Sequence, residues 1–345
     1  MSQPHAPASQ LLERSRPLFA HPRLLIAGQV DDDYPRTLLQ QSADSTWFLT
    51  DYSRFRPQAT GSDGLDIRFG HQLEAGETPW EGLLLYLPKA KAEAQFLLAQ
   101  LTPLLTPGAP IWLVGDNRGG IKGAEKLLAP YCSKVRKQDS ARRCSLYQGL
   151  LDQAVAPFAL DAWFGEYTLP LGEQTLRIQA LPGVFSAAEL DEGSRLLLDH
   201  LPPLRGRVLD LGCGAGVIGA VLKQRHPDIA LELADINALA LASASRTLAI
   251  NGLEGNVYPS DGYSDVAPGL QHIITNPPFH AGLNTHYQAT EQMMLQAPRQ
   301  LAKGGDLLLV ANAFLRYPPF LDQAFGPHGW QILAQSSKFK LYLAR

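Results

Sequence analysis

The feature of this sequence that most constrains its fold is an internal repeat. Residues 82–130 and 271–326 show the same order of elements: a buried strand, a turn with proline, an amphipathic helix, a glycine turn and a second buried strand. Both repeats lead into a basic stretch and a strand, at residues 141–149 and 337–345. Alternating strands and helices are typical of a parallel sheet covered on both faces. The repeat therefore predicts two α/β domains of one architecture, derived from a duplication.

The chain ends in two segments of strand character joined by a short polar turn, at residues 329–345. This pattern predicts an antiparallel hairpin at the edge of the second sheet. Residues 151–180 contain a further hairpin pattern, at 166–179, and we expect them to form the junction between the domains. We place the two domains at residues 1–152 and 153–345.

Composition and length fit a globular protein of two domains. The 345 residues are 45% hydrophobic and 18% charged, which is enough apolar material for a sizeable core. No apolar run approaches the roughly 20 residues that a membrane span needs, and the N-terminus lacks the apolar segment of a secretory signal. The three cysteines form no CxxC pair and no cluster with histidine. We therefore expect a cytoplasmic protein without a metal site.

Charge is unevenly distributed along the chain. The net charge is −3, yet residues 1–150 carry seventeen Lys/Arg against fifteen Asp/Glu, and residues 151–345 carry thirteen against eighteen. The basic residues concentrate between positions 116 and 147. Such a cluster is either an electrostatic contact for phosphates or a solvated helix face and hairpin. The candidates for contact with phosphates are Arg118, Lys122, Lys134, Arg136, Lys137, Arg142 and Arg143.

A glycine-rich turn in the second half predicts a nucleotide-type cofactor site. Asp210 is followed by Gly212, Gly214 and Gly216, between a buried strand and a helix. Glycines at such a turn let the backbone approach a ligand closely and leave the N–H groups of the helix N-terminus available. The motif alone does not distinguish a dinucleotide from other nucleotide-like cofactors.

Aspartates at the ends of successive strands favour S-adenosylmethionine over NAD. Asp210 would lie close to the pyrophosphate of a dinucleotide, whereas a cationic sulfonium ligand with an amino-acid tail suits a carboxylate there. Asp235 ends the next strand, where it can accept hydrogen bonds from both ribose hydroxyls. Asp261 and Gly262 end a third strand-like segment, suited to the adenine amino group. Open α/β sheets bind ligands at this edge.

The two halves differ where chemistry is expected. After the strand that corresponds to the one before Asp210, the first half has Gly28 alone, followed by acidic residues. Where the second half has NPPF at residues 276–279, the first has YLPK at 86–89. We therefore expect that the first domain has lost cofactor binding and that the second is the active one.

A set of short motifs in a fixed order resembles one enzyme family. DLGCGAG, DIN, SDG and NPPF resemble the class I S-adenosylmethionine-dependent methyltransferases that act on exocyclic or amide nitrogens. PGVFS at 182–186, NPPFH at 276–280, VANAFLRYP at 310–318 and FKLY at 339–342 resemble the bacterial RsmC family, the guanine-N2 methyltransferases of 16S ribosomal RNA. The resemblance implies two tandem Rossmann-like class I methyltransferase domains. Each has a seven-stranded mixed sheet with an antiparallel C-terminal hairpin, and the first is degenerate.

The resemblance implies further contacts. Phe185 and the following helix would close over the methionine end of the cofactor, and Ile236, Asn237 and Asn276 would contact the cofactor. His280 would contact RNA, and residues 281–290 would form a loop that shapes RNA or covers the site. The first domain would bind RNA or support the second, and the partner would be ribosomal RNA of the small ribosomal subunit. We expect a monomer that makes no membrane contact.

The chemistry of guanine N2 indicates what the NPPF segment does. The N2 lone pair is delocalised into the ring, so the nitrogen is a poor nucleophile. The side-chain oxygen of Asn276 and the backbone carbonyl of Pro277 can each accept one N–H, which orients the nitrogen for in-line transfer. Pro277 and Pro278 stiffen the turn. Phe279 would stack on the target base after the base leaves its helix or loop.

Three alternatives remain open from the sequence. A 23S ribosomal RNA guanine-N2 methyltransferase also has tandem domains and NPPF. A protein-glutamine methyltransferase is less consistent, since such enzymes usually have Tyr in place of Phe279 and an unrelated helical N-terminal domain. A non-catalytic RNA-binding or assembly module fits the first domain by itself.

Overall fold

The computed structural model describes residues 5–42, 44–59, 64–277 and 284–345, with the side chains of 284–287 left aside. The chain divides into two compact units, Met1–Trp163 and Phe164–Arg345. The division lies after the 152/153 boundary placed from the sequence. The intervening residues belong to the first unit because Phe158 and Trp163 each pack edge-on against Phe96, with ring centroids 5.6 Å apart.

The first unit contains seven strands and five α-helices within its described residues. The strands are β1 (Leu24–Gly28), β2 (Thr46–Leu49), β3 (Asp66–Phe69), β4 (Gly82–Tyr86), β5 (Pro110–Asp116), β6 (Val135–Ala141) and β7 (Cys144–Leu150). The helices are α1 (Pro7–Arg14), α2 (Tyr34–Leu39), α3 (Tyr52–Ala59), α4 (Lys91–Leu101) and α5 (Ala124–Leu128). Short 3-10 turns cover Arg16–Phe19, Thr102–Leu104, Ile121–Gly123 and Leu160–Trp163.

The second unit opens with a hairpin and then repeats the pattern of the first. Its strands are β8 (Gly165–Leu171), β9 (Gln174–Ala180), β10 (Arg207–Leu211), β11 (Ala230–Asp235), β12 (Asn256–Pro259), β13 (Leu270–Thr275), β14 (Leu301–Asn312), β15 (Trp330–Gln335) and β16 (Phe339–Ala344). Its helices are α6 (Glu192–Asp199), α7 (Val217–Arg225), α8 (Ala238–Ile250), α9 (Asn284–Gln300) and α10 (Pro318–Phe325).

The two large sheets have the same strand order. The first runs β3-β2-β1-β4-β5-β7-β6 and the second runs β12-β11-β10-β13-β14-β16-β15. In each sheet the first five strands are parallel, and the last two form an antiparallel hairpin at the edge. The predicted fold, two tandem Rossmann-like domains with mixed seven-stranded sheets, is confirmed. In the second sheet the strand order reverses between β10 and its neighbour β13. Open α/β sheets bind ligands at such a point.

The core of each unit follows from the apolar runs of its central strands. All five residues of β1 and of β4 are buried, and so are residues 305–311 of β14. Parallel strands covered by helices on both faces have such continuous runs, whereas strands with one solvated face alternate. Within the described residues, no helix is both long enough and apolar enough to cross a bilayer.

The hairpin of β8 and β9 belongs to the second unit and packs on α8. The backbone N–H groups of Arg177, Gln179 and Leu181 donate to side chains of α8 and of its C-cap, over distances of 3.0 to 3.2 Å. The division between the units falls within residues 151–180, where the junction was expected, and the hairpin packs on a helix of the second unit. The loop expected at 281–290 is corrected, because α9 already begins at Asn284.

Candidate active site

The register of the second sheet brings three predicted residues to one edge. Leu211 of β10 lies beside Ala234 of β11 and Thr275 of β13. The next residue along each of these parallel strands is Gly212, Asp235 or Asn276, so all three emerge side by side at the carboxyl edge. The topology itself therefore brings these three predicted residues together.

The glycine turn after β10 is fixed by backbone bonds and by close packing. The N–H of Gly212 donates to the Ala234 carbonyl at 2.8 Å, and the N–H of Gly214 donates to Asp235 Oδ2 at 3.0 Å. Gly216 has φ +75°, and a Cβ there would lie 2.8 Å from the Ala244 Cα of α8. No other residue fits that position without moving the helix. The turn thus lies directly against α8 and exposes its outer side at the sheet edge.

Asp210 has a buried carboxyl group with one oxygen unpaired. Oδ2 accepts the Gly219 N–H of α7 at 2.8 Å, whereas Oδ1 is buried and has no hydrogen-bond partner among the described residues. Burial raises the pKa of Asp210 to about 7; the Gly219 N–H opposes this effect and the charge of Asp235 adds to it. An unpaired buried carboxylate oxygen is costly unless a donor reaches it. A cationic ligand such as an amino-acid ammonium group fits this oxygen.

Asp235 and Asn237 order the tip of β11. Asp235 accepts the Asn237 N–H at 2.9 Å in addition to the Gly214 N–H. The Asn237 side chain caps α8 by accepting the Leu239 N–H at 2.8 Å. This capping contact gives Asn237 a structural role, and its predicted contact with the cofactor stays a prediction. Ile236 lies between them with an exposed apolar side chain.

Asp261 and Gly262 lie beyond β12, at the same edge. Asp261 is exposed, and its backbone N–H donates to Ser264 Oγ at 3.0 Å. The preceding Ser260 donates its N–H to the Asp235 carbonyl at 3.1 Å, which ties this loop to the tip of β11. The loop with Asp261 and Gly262 therefore lies next to Asp235.

Asn276 is held by two residues that were not predicted from the sequence. Its Nδ2 donates to Asp191 Oδ2 and to Ser194 Oγ, each at 2.9 Å. Asp191 is the N-cap of α6 and accepts the N–H groups of Gly193 and Ser194. The sequence DEGS before an apolar run is an N-cap signal, but nothing in it indicates a contact with Asn276. Pro277 is buried; Pro278, Phe279 and His280 lie outside the described residues.

Large apolar side chains are exposed at the same edge. Phe185 is 52% exposed, and its carbonyl lies over the glycine turn, 3.3 Å from where a Cβ on Gly214 would be. Phe314, which follows β14, is 69% exposed and was not among the predicted site residues. It lies within the motif VANAFLRYP. The sequence shows this motif but does not show that Phe314 is exposed at the end of a strand. Isolated apolar residues are common on surfaces, and these two lie with Ile236 at the carboxyl edge of the second sheet.

The same edge of the first unit is filled by the chain itself. After β1, Asp32 accepts the Ala6 N–H at 2.6 Å, the Ser9 hydroxyl at 2.8 Å and the Tyr34 N–H at 3.1 Å. Tyr86, the last residue of β4, is buried with its hydroxyl 3.1 Å from Ser9 Oγ. The N-terminal part of α1 therefore bonds to the residues that occupy the position of a cofactor turn.

The seven candidate phosphate contacts are all exposed in the first unit. Arg136 and Lys137 are on β6, the edge strand, and Arg142 and Arg143 form the turn to β7 with φ of 50° and 64°. The Asn117 N–H donates to the Arg143 carbonyl at 2.8 Å, which brings the loop with Arg118 to the same end. Lys134 lies at the opposite end of β6, and Lys122 lies in the short 3-10 turn after β5. No ion pair joins any of the seven to a carboxylate in the part of the chain that the structure describes.

The cysteines and the potential metal ligands are further candidates for a site among the residues that the structure describes. Cys132, Cys144 and Cys213 are buried free thiols. Across the described ranges, no three His, Cys, Asp or Glu side chains are grouped so that they could hold a metal ion.

Comparison with known proteins identifies the family. Two family models match in tandem: Methyltransferase small domain N-terminal over residues 9–167, and Methyltransferase small domain over residues 175–343. The chain is 53% identical over 345 residues to ribosomal RNA small subunit methyltransferase C of Aeromonas hydrophila, with all of both chains covered. The chain belongs to the ribosomal RNA small subunit methyltransferase C family. This membership confirms the RsmC resemblance seen in the sequence.

Other members and a solved structure agree with this family. The chain is 48% identical over 336 residues to ribosomal RNA small subunit methyltransferase C of Vibrio vulnificus, covering 97% of each chain. Its fold is similar to that of the T. thermophilus 16S rRNA N2 G1207 methyltransferase (RsmC), solved in complex with AdoMet and guanosine. The TM-score is 0.84 at 25% identity, and the match covers 98% of this chain and 91% of that chain.

Proposed function

We propose that this chain transfers the methyl group of S-adenosylmethionine to the exocyclic N2 of one guanine in 16S ribosomal RNA. The observation that carries the proposal is the edge of the second sheet. There Asp210 has a buried, unpaired carboxylate oxygen and Asn276 has an amide fixed by its nitrogen. Membership in the small subunit methyltransferase C family supports 16S rather than 23S RNA as the substrate, and supports an enzyme rather than a non-catalytic module.

The residues of the glycine turn fit S-adenosylmethionine. When bound, this cofactor supplies an electrophilic methyl group on a sulfonium sulfur. Asp210 Oδ1 would accept hydrogen bonds from its ammonium group, and Asp235 would accept them from the ribose hydroxyls. Asp261 would accept from the adenine amino group, with Ile236 against the ring. Phe185 would cover the methionine end.

The substrate side rests on hydrogen-bond acceptors rather than on a strong base. Asn276 Oδ1 and the Pro277 carbonyl would each accept one N–H of the guanine amino group, which orients the nitrogen toward the cofactor. The alkylated nitrogen becomes acidic and loses its proton to solvent. The predicted stacking of Phe279 on the base, the contact of His280 with RNA and the stiffening by Pro278 belong to the same proposal.

The first unit would serve the second without binding a cofactor. Asp32 already accepts three hydrogen bonds from its own unit, so its carboxylate is engaged within the chain. We propose that this unit supports the catalytic unit and contacts the RNA through its basic edge. The protein would act in the cytoplasm as a monomer on the RNA of the small ribosomal subunit.

A direct test uses ribosomal RNA from a strain without this family's enzyme. Purified protein and S-adenosylmethionine are incubated separately with naked 16S RNA, with small subunits and with 23S RNA. Nucleoside mass spectrometry and primer extension should find one N2-methylguanosine per 16S molecule, in at least one of the first two substrates. Methylation only of 23S RNA, or methylation at another atom, would overturn the proposal.

A further inference from the structure

The contact of α6 with the tip of β13 fixes the orientation of an amide. An asparagine NH₂ group has two N–H donors, and in Asn276 one points at Asp191 Oδ2 and the other at Ser194 Oγ, both at 2.9 Å. Asn276 is 8% exposed and Ser194 is 3% exposed. Both amide donors are therefore used, and the bond to Ser194 is buried whereas Asp191 is half-buried.

The chemistry of the partner determines which end of the amide faces it. An ionised carboxylate only accepts hydrogen bonds, so the amide nitrogen must face Asp191 and the carbonyl oxygen Oδ1 must point the other way. Rotating the amide by half a turn would place Oδ1 against the Asp191 carboxylate, two acceptors with no proton between them, and would lose both bonds of the NH₂ group. The Asp191 carboxylate thus selects one of two amide orientations that differ little in shape.

Asp191 is itself held in place. It caps α6 by accepting the N–H groups of Gly193 at 2.8 Å and Ser194 at 3.1 Å. At Gly193 a Cβ would lie 3.1 Å from the ring of Phe339, at the start of β16, so the first turn of α6 packs closely on the sheet. A preorganised acceptor needs such support, because a displacement of about 1 Å can cost about 100-fold in rate.

We propose that Asp191 and Ser194 are positioning residues, which hold Asn276 so that its carbonyl oxygen, and not its NH₂ group, faces the guanine amino group. The proposal rests on the proposed function, since it specifies how the acceptor for the substrate N–H is set. With the amide reversed, two NH₂ groups would face each other and the guanine nitrogen would not be oriented. The contact therefore governs kcat at saturating cofactor and leaves cofactor affinity nearly unchanged.

Exchanging donor and acceptor tests the contact. Asn276→Asp places a second carboxylate against Asp191, so the pair shares a proton and its pKa rises. The shared proton is present at low pH and is lost as pH rises. We expect kcat of Asn276→Asp to be about 100-fold lower than wild type at pH 8 and to recover toward low pH. Adding Asp191→Asn supplies an NH₂ donor, and we expect it to restore kcat about 10-fold or more and to flatten the pH profile.

Two controls separate this contact from general effects. Glu192→Gln removes the neighbouring charge on α6, whose carboxylate bonds Lys338 Nζ at 2.8 Å, and we expect no rescue of Asn276→Asp. Ser194→Ala removes one acceptor without touching the cap side chain, and we expect kcat to fall about 3- to 10-fold. Thermal melting and cofactor titration establish that each variant is folded and loaded.

The outcomes separate this inference from the proposed function. Methylation by wild type with a rescue specific to Asp191→Asn supports the inference. Methylation by wild type overturns it if Asn276→Asp is as active as wild type at every pH, or if Glu192→Gln rescues equally. If wild type makes no N2-methylguanosine, the proposed function fails. The contact is then judged by NMR of the Asn276 side-chain amide. Its protons should be protected from exchange with water in wild type and should lose this protection in Ser194→Ala. Wild-type amide protons that exchange without protection would overturn the inference.

Discussion

The two sheets have the same strand order, but different residues lie at their carboxyl edges. In both units a helix before the first strand reaches the tip of the fourth: α6 bonds Asn276, and α1 brings Ser9 to the Tyr86 hydroxyl. In the second unit this contact leaves an amide oxygen available at the edge. In the first it joins a buried phenol. The difference indicates that the helix–strand contact belongs to the fold, whereas the residue at the tip determines whether the edge can do chemistry.

Asp210, within β10, and Asp32, beyond the end of β1, show a similar contrast. Asp210 keeps one buried oxygen unpaired, whereas Asp32 accepts three bonds from α1 and its own turn. A buried charge must be satisfied, from within the chain or by a ligand. The first unit satisfies its carboxylate internally, and we infer that its site is closed by its own residues for this reason.

The largest expected effect separates the two strand tips. Asn276→Ala should lower kcat about 10²- to 10³-fold, because the transition state loses a fixed acceptor, while the affinity for S-adenosylmethionine changes less than about 3-fold. Tyr86→Phe removes the corresponding polar group of the first unit and should leave kcat unchanged. Single-turnover methyl transfer measures both. An equal loss in Tyr86→Phe would show that the first edge takes part in catalysis.

Gly28, the one glycine that the first unit has at the position of the cofactor turn, should be required for stability. Gly28 has φ +95°, and a Cβ there would lie 1.9 Å from the Tyr86 carbonyl oxygen. Gly28→Ala should lower the free energy of unfolding by about 3 kcal/mol or more in urea titrations. Gly64→Ala is the matched control, since Gly64 has φ +80° with open space around it, and should cost only about 1 kcal/mol. Equal costs would mean that the close approach of β4 does not require Gly28.

Cofactor affinity should depend on pH through Asp210 and not through Asp32. Because burial raises the pKa of Asp210 to about 7, the cofactor-free carboxyl is protonated below that pH, and binding of a cation must first release the proton. The Kd should rise by up to about tenfold for each pH unit below 7 and level off above it. Calorimetry from pH 5 to 8.5 measures this. Asp210→Asn should bind weakly at every pH, and Asp32→Asn should keep the wild-type profile; a flat wild-type profile would contradict the account.

The smallest expected effect concerns the outer edges of the sheets. Replacing Arg136, Lys137, Arg142 and Arg143 with Glu should weaken RNA binding and flatten its dependence on salt, by about 0.7 to 0.9 in slope for each phosphate that the variant no longer neutralises. The corresponding edge strand of the second unit, β15, has no charged residue, so Gln331→Glu with Gln335→Glu is the control. That pair should change affinity less than about 3-fold. Equal effects at both edges would indicate only general repulsion.

The parts of the molecule that depend on local sequence pattern could be predicted. Buried strands followed by helices predicted both sheets, and parallel strands end at one edge, so Asp210, Asp235 and Asn276 could be placed together. The support of Asn276 could not be predicted, because Asp191 is 85 positions away and reads locally as an ordinary helix cap. The bonds from Ala6 and Ser9 to Asp32 could not be predicted either, because these residues are 26 and 23 positions away from Asp32. The packing of Phe158 and Trp163 on Phe96 could not be predicted either, because no change in composition marks it.

The central claim is that only the second of two duplicated sheets binds the cofactor. Titration calorimetry of the whole chain with S-adenosylmethionine tests it most directly, with Asp210→Ala plus Asp235→Ala and, separately, Asp32→Ala as variants. The account predicts one molecule bound per wild-type chain, none in the double variant and one in Asp32→Ala. Two molecules per chain, or one that persists in the double variant, would contradict it.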